Sequence, residues 1–348
     1  MENIKILIWG FGAMGRGMAE MLLTKTGAEI VGICDINHEI VGKNFLDVLN
    51  IKSSHKEVIV SDDIDTVLSK VKADVVLLCT DSYTSKTFPK IKKIVAKGIN
   101  VISTAEEMAY PYVNEPELAK EMDLLAKEHN VTILGTGINP GFIMDLLVVA
   151  LTGTMSNVET IEAKRVNSLS PFGKTVMDEQ GVGITRDEYE MRLKNNNLAG
   201  HVGFKESIYM IADALGLKLD NFKQQMSPII TDIERKSLYG EAKKGNLAGI
   251  DMRGQGFIDN KAVISMIHPQ QIEPEMAGIN TGDYITIKGT PNIKMAINPE
   301  ISGGIGTIAM CVNMIPHVIN AKPGLKTMID LPVPRAIMGD MRDLIDKD

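Results

Sequence analysis

The sequence predicts an α/β fold: a doubly wound parallel sheet in the N-terminal part, followed by a second domain of α+β type. Three observations predict it. Over about the first 135 residues, short runs rich in Val, Ile and Leu alternate with segments of helical apolar spacing, as in a parallel sheet with crossover helices. One of them, "ADVVLLCT" (73–80), is dense in Val and Leu, as a strand buried on both faces should be. Beyond Gly141 the rhythm is lost and longer mixed segments replace it.

In order, "IKILIW" (4–9) forms the first strand and runs at once into a glycine loop and a helix over roughly 13–26. "AEIVGICD" (28–35) is the second strand, "EVIV" (57–60) a short third and "ADVVLLCT" (73–80) the fourth. "KTFPKIKKIVAKG" (86–98) has helical spacing and stops at a glycine suited to a C-cap. A fifth strand, "INVIST" (99–104), a helix (115–130) and a sixth strand, "VTILGTG" (131–137), complete the series. A helical stretch at 142–153 follows, and "VETIEAKRVNSL" (158–169) and "DYITIKGTP" (283–291) read as strands of a different sheet. "SGGIGTIAMCVNMIPHVINAKPGL" (302–325) reads as one long helix, too apolar for the surface and expected to pack back on the first domain. The expected divisions are 1–138, 139–300 and 301–348.

A chain of 348 residues with net charge −7 offers no basic face for nucleic acid or an anionic membrane. No apolar run approaches the ~20 residues of a membrane span, and the N-terminus enters a strand with no signal or transit segment, so a cytoplasmic protein is expected. Cys34, Cys79 and Cys311 lie in apolar stretches and read as buried thiols in a reducing compartment. CxxC, HExxH and clustered acidic ligands are all missing, so no metal is expected.

The glycine loop reads GFGAMG and lies directly between a strand and a helix. Gly10 allows the turn, Gly12 lets backbone approach a pyrophosphate, and Gly15 lets helix and strand pack closely. The phosphates would rest on the helix start at Ala13, Met14 and Gly15. Asp35 closes the second strand 20 residues after Gly15, where a carboxylate binds adenosine ribose hydroxyls. The first domain is therefore read as a Rossmann domain for NAD or NADP. Asp35 repels a 2′-phosphate and favours NAD; Arg16 and Lys43 either relieve that repulsion or are plain surface charges. Thr80 and Ser82 follow the fourth strand, and Asn139, Pro140 and Gly141 form a rigid turn after the sixth; both loops border the expected cofactor crevice.

Substrate chemistry is expected near the same loops. Adjacent carboxylates, Glu106 and Glu107, follow the fifth strand, and side chains so placed point in different directions. Glu106, nearer the strand end, is the catalytic candidate, although a helix-start charge explains the pair equally well. Arg165 and Asn167, two apart on a strand, share a face, and a guanidinium there suits a carboxylate. His201 stands before a helix start, His268 after a short apolar run, and Thr307 in a glycine-rich helix entry. These are weaker substrate-binding candidates, since a lone histidine or threonine is commonly structural.

Five stretches, "GFGAMGRGMAEML", "STAEEMAYP", "GTGINPGFIMDLL", "GHVGFKES" and "INAKPGLKTMIDLP", together resemble the 2,4-diaminopentanoate dehydrogenases, whose wider relatives are dihydrodipicolinate reductases and native amine dehydrogenases. The resemblance spans nearly the whole chain. It implies an N-terminal Rossmann domain with a substrate and dimerisation domain, a homodimer, and NAD(P)-dependent oxidative deamination in ornithine breakdown. Glu106 would then serve as acid and base, Arg165 with Asn167 would bind the distal carboxylate, and His201 and His268 the second amino group or the carboxylate. Asn139 with the Pro140–Gly141 turn would bracket the nicotinamide. A cyclic imine reductase is the rival enzyme, weakened by the lack of a His-His pair. A non-catalytic cofactor sensor is the rival of another class.

Overall fold

Residues 2–198 and 200–346 are described by the computed structural model. The first stretch of chain runs β1 (Ile4–Trp9), α1 (Ala13–Leu23), β2 (Ala28–Cys34), α2 (Phe45–Leu49), β3 (Val60–Ser61), α3 (Ile64–Lys70), β4 (Val75–Leu78), α4 (Thr84–Val95), β5 (Asn100–Ser103), α5 (Pro116–Glu128) and β6 (Thr132–Gly135). Its helices start where the sequence supplies a reason. Asp63 caps α3 through the backbone N–H groups of Asp65 and Thr66, and Pro116, with no N–H to lose, opens α5. On α1 the buried stripe is Gly15, Met18, Ala19 and Leu22, one helical face.

The middle of the chain runs α6 (Leu146–Thr152), β7 (Asn157–Ser168), α7 (Lys174–Glu179), α8 (Arg186–Lys194), α9 (Phe204–Ala214), β8 (Asn221–Ile230), β9 (Arg235–Lys236), β10 (Glu241–Ala242), β11 (Leu247–Ile258), β12 (Lys261–Gln271), β13 (Gly282–Thr290) and β14 (Ile293–Ile297). Six of these strands form a mixed sheet in the order β14-β13-β7-β12-β11-β8, with β7 and β12 its parallel pair. The helix α9 lies on this sheet at close range. A Cβ on Gly254 of β11 would sit 2.8 Å from Phe204, and one on Gly256 would sit 2.9 Å from Ile208. That packing explains the alternating glycines of "RGQGF".

The chain then returns through α10 (Gly303–Asn313), α11 (Ile315–Asn320) and β15 (Gly324–Lys326). The single helix expected over 302–325 is two helices and a strand. Pro316 has no N–H to give the carbonyl four residues back, so the helix breaks there and restarts with proline in its first turn. The strand β15 adds to β6 and completes a seven-stranded parallel sheet, β15-β6-β5-β4-β1-β2-β3. The helix α10 seats on α1 at Gly17, where a Cβ would lie 2.2 Å from Ile308.

Two compact units result: Met1–Phe142 with Ser302–Asp348, and Ile143–Ile301. Residues 139–142, expected in the second domain, stay with the first because Gly141 folds back on Gly137 and Ile138 is held by Thr307. Ile301 stays with the second, bonded through both backbone groups to the Arg165–Asp283 pair. Among the described residues no helix is long and apolar enough to cross a membrane.

Candidate active site

In the first unit the last residues of four neighbouring strands stand in register: Trp9 beside Leu78, Leu78 beside Ser103, Ser103 beside Gly135. The loops that follow therefore share one edge of the sheet, and they carry Gly10–Arg16, Thr80–Ser82, Glu106–Glu107 and Thr136–Gly141.

The three loop glycines answer to different demands. Gly10 has φ +96° and a Cβ there would meet the Cys79 carbonyl at 2.6 Å; a Cβ on Gly15 would lie 2.0 Å from the Gly10 carbonyl oxygen. Both are required by the protein itself. A Cβ on Gly12 would meet nothing within 4 Å, so that side opens onto free space at the start of α1. No side chain caps that helix end, and its first turn, with Ala13, Met14 and Gly15, holds no acidic residue. Free space beside uncapped backbone N–H groups and a positive helix end fits a pyrophosphate.

Asp35 accepts from the backbone N–H of Phe11 and, at 2.8 Å, from that of Asn37, which holds its carboxylate at the rim of the glycine loop. Arg16 folds back to donate from Nε to the Phe11 carbonyl at 3.1 Å, while Lys43 is exposed. Thr80 belongs to a cluster that the sequence did not reveal. Its hydroxyl donates to Asp81 at 2.6 Å, and Lys90 Nζ reaches both Thr80 Oγ1 and Asp81 Oδ2, at 2.8 and 2.6 Å. Lys90 is one of four lysines within α4, and nothing in the sequence marks it out. Ser82 contributes its backbone carbonyl, which accepts from Glu107 N–H at 3.1 Å.

The adjacent carboxylates separate in role. Glu107 Oε2 accepts from the backbone N–H of Thr84 at 2.7 Å, closing the start of α4. Glu106 opens the short 3₁₀ turn Glu106–Ala109 and is half-buried. On the next loop Gly141 adopts φ +128°, with its missing Cβ only 2.5 Å from the Gly137 nitrogen. Thr307 accepts from Ile138 N–H at 3.2 Å, so this hydroxyl anchors the loop that carries Asn139 and Pro140.

The second unit gathers a buried polar row on the α9 side of its sheet. Strand register places His268 on β12 in line with Arg165 on β7 and Asp283 on β13, and Gln270 in line with Asn167. Arg165 donates to Asp283 at 2.6 Å and to the Ile301 carbonyl, and both charged side chains are nearly inaccessible, at 3% and 1% exposure. N–H groups on two nitrogens of the one guanidinium are thus committed inside the protein, and the fork expected to clamp a carboxylate is not presented whole. Burial pushes the Asp283 carboxyl up, against the opposing pull of Arg165. The ring of His268 lies 2.9 Å through Nε2 from Asn167 Oδ1. An amide oxygen only accepts, so Nε2 carries the proton and Nδ1 the lone pair. The His201 ring stacks edge-on with it, at 4.8 Å between centroids.

Both imidazoles are neutral at ordinary pH. Burial, with the nearby Arg165 charge, lowers His201 to about 3; burial, His201 and Arg165 hold His268 well below its ordinary value of 6.5. A base whose folded-state affinity is lowered takes its proton more readily in the unfolded chain. Stability is therefore full above 6.5 and falls as pH drops below that value. Between pH 7.5 and 5.5 the pair should cost the second unit about 2–3 kcal/mol, shared about equally between the two rings. Urea unfolding at the two pH values checks this, and replacing both histidines by glutamine should flatten the dependence.

Two family profiles match the chain: "2,4-diaminopentanoate dehydrogenase C-terminal domain" over residues 142–347 and "Dihydrodipicolinate reductase, N-terminus" over 4–107. The 2,4-diaminopentanoate dehydrogenase of Acetoanaerobium sticklandii is 59% identical, in an alignment covering 100% of this chain and 99% of that one. An amine dehydrogenase of Streptomyces virginiae is 23% identical, covering 96% and 98%. Among solved structures, the amine dehydrogenase of Mycobacterium smegmatis superposes with a TM-score of 0.85 at 26% identity, over 97% and 98% of the two chains.

Proposed function

The chain belongs to the 2,4-diaminopentanoate dehydrogenase family, and from that premise we propose that it oxidatively deaminates 2,4-diaminopentanoate at C4, giving 2-amino-4-oxopentanoate and ammonia with NAD(P) as hydride acceptor. It is an oxidoreductase of amine donors. The observation that carries the cofactor reading is Gly12. Unlike its two neighbours in the motif, it is a glycine that no protein atom requires, and it opens onto an uncapped helix start. NAD is favoured over NADP because Asp35, already fixed by two backbone N–H groups, would meet a 2′-phosphate as a like charge.

The nicotinamide, when bound, supplies the acceptor for a hydride from substrate C4. The chain's own residues do the rest. Ala13, Met14 and Gly15 offer backbone N–H groups to the pyrophosphate, Asp35 takes the ribose hydroxyls, and Thr80, Ser82 and the Asn139–Pro140–Gly141 turn line the cofactor. Glu106 takes a proton from the 4-ammonium, because only the free amine has the lone pair that drives hydride departure. The same carboxylate then assists addition of water to the imine carbon, and ammonia leaves with the returned proton. Atoms balance as amine, water and oxidised cofactor giving ketone, ammonia, reduced cofactor and one proton. Asn167, His201 and His268 bind the amino acid end of the substrate, Arg165 ties β7 to β13 and Ile301 beside them, and Thr307 holds the turn. Homodimeric assembly, a cytoplasmic location and a place in ornithine breakdown belong to the same reading and rest on the family resemblance.

The test is NADH formation at alkaline pH with purified protein, 2,4-diaminopentanoate and NAD, repeated with NADP. Ammonia released in step with NADH, faster with NAD, is the expected result. NAD binding without turnover would keep the cradle and overturn the substrate.

A further inference from the structure

Gln270 is 7% exposed, yet its amide Nε2 is shielded from solvent and makes no hydrogen bond among the described residues. A buried amide donor left without a partner is destabilising by about 1–3 kcal/mol, and such groups are rare enough in folded proteins to need a reason. The neighbouring Gln271 shows what a structural amide does here: its Oε1 accepts from Arg235 at 2.6 Å. Gln270 faces the other way, two residues beyond His268 on the same face of β12 and directly opposite Asn167 on β7. Asn167 spends its Oδ1 on His268, and among the described residues its own amide nitrogen reaches only the Ser168 carbonyl, at 3.5 Å. Two amide donors therefore stand side by side, in a row where the Arg165 charge is matched by Asp283.

We infer that Gln270 is a substrate-binding residue, whose amide N–H groups, with those of Asn167, hold the carboxylate of the amino acid end of the substrate. The inference rests on the proposed reading of this site, and it places carboxylate selection on neutral amides instead of on Arg165. Amides suit this position, because an anion arriving there meets donors that carry no charge to be stripped of water beforehand.

The test compares wild type with Gln270→Met, which keeps the length and removes the amide. KM for 2,4-diaminopentanoate should rise about ten- to hundredfold, with kcat changing less. Ligand-free Gln270→Met should melt no lower than wild type, because an unpartnered amide has gone, a result that a structural hydrogen-bonding role forbids. A second readout needs no turnover. With NAD present, 2-aminopentanoate, which has the amino acid head without the 4-amino group, should raise the melting temperature of wild type and not of Gln270→Met. Should that variant fail to fold, Gln270→Asn, one methylene short, is expected to show the same losses. An unchanged KM, a lowered melting temperature with the ligand response intact, or no response in wild type each overturns the inference. Wild type that responds to 2-aminopentanoate but turns over no diamine overturns the deaminase reading alone and leaves Gln270 as a carboxylate site.

Discussion

Glu106→Gln lowers the deamination rate by about a hundred- to ten-thousandfold, the range set by removing a positioned general base. The change keeps the size of the side chain and removes only its ability to take a proton. Two features sharpen the expectation. Glu107, the other carboxylate of the pair, is engaged by the Thr84 backbone N–H at 2.7 Å and by Asn114 Nδ2 at 3.4 Å, so it serves α4 and not the reaction. Glu107→Gln retains an oxygen for Thr84 and should leave turnover within a few-fold of wild type. The glycine loop is separate from both, so NAD affinity should be unaffected in either variant. Where the carboxylate is missing, the amine must lose its proton to solvent. The residual rate of Glu106→Gln should consequently keep climbing with pH where the wild-type profile has levelled. Single-turnover NADH formation across pH 7–11 tests this, and full activity in Glu106→Gln would place the base elsewhere.

The second large effect lies in the ion pair of the second unit. Removing one member of a buried pair strands the other charge out of water, which is destabilising by about 3–5 kcal/mol. Asp283→Leu should produce a loss of that order, and it also removes the acceptor for Ile301 N–H at 2.9 Å. Arg165→Met should cost less, because a lone carboxyl can escape by taking a proton, and burial already pushes Asp283 that way. Together the two replacements should recover most of the loss, since apolar side chains of similar volume fill such sites well. The single tryptophan, Trp9, sits in β1 and reports the first unit. The second is better followed by circular dichroism or calorimetry. A double variant no more stable than Asp283→Leu would show that the arginine's other bonds, not its charge, dominate.

The parallel sheet was legible because β1, β4, β5 and β6 are largely buried and rich in Ile, Val and Leu, β4 (VVLL) wholly so. The strand β15 was not, being three residues that become a strand only by pairing with β6, about 190 positions earlier. Pro316 was a visible signal for the break between α10 and α11, and apolar continuity concealed it. In the site, the glycine loop and Asp35 were legible because backbone geometry and phosphate chemistry restrict those positions to few residue types. Arg165 and Asn167 were legible as polar residues two apart on one strand, and His268 as a histidine after a short apolar run. What they do was not, since Asp283 lies 118 residues from Arg165 and the sequence does not say which strand neighbours which. Gln270 stands two residues beyond His268 on the same strand, and that spacing was available in the sequence.

The first unit is made from two separate stretches of chain, with residues 143–301 synthesised in between. On the ribosome, the glycine loop emerges early, but the helix that covers α1 and the strand that borders β6 follow only after residue 301. The interposed unit is one uninterrupted run of chain, so its sheet can close while the nucleotide domain still waits for its edge. A nascent chain halted before residue 302 would carry every residue of the GFGAMG motif and lack α10 against Gly17, β15 beside β6 and Thr307 beneath Ile138. The seven-stranded sheet is thus completed only after the whole of the second unit has been made.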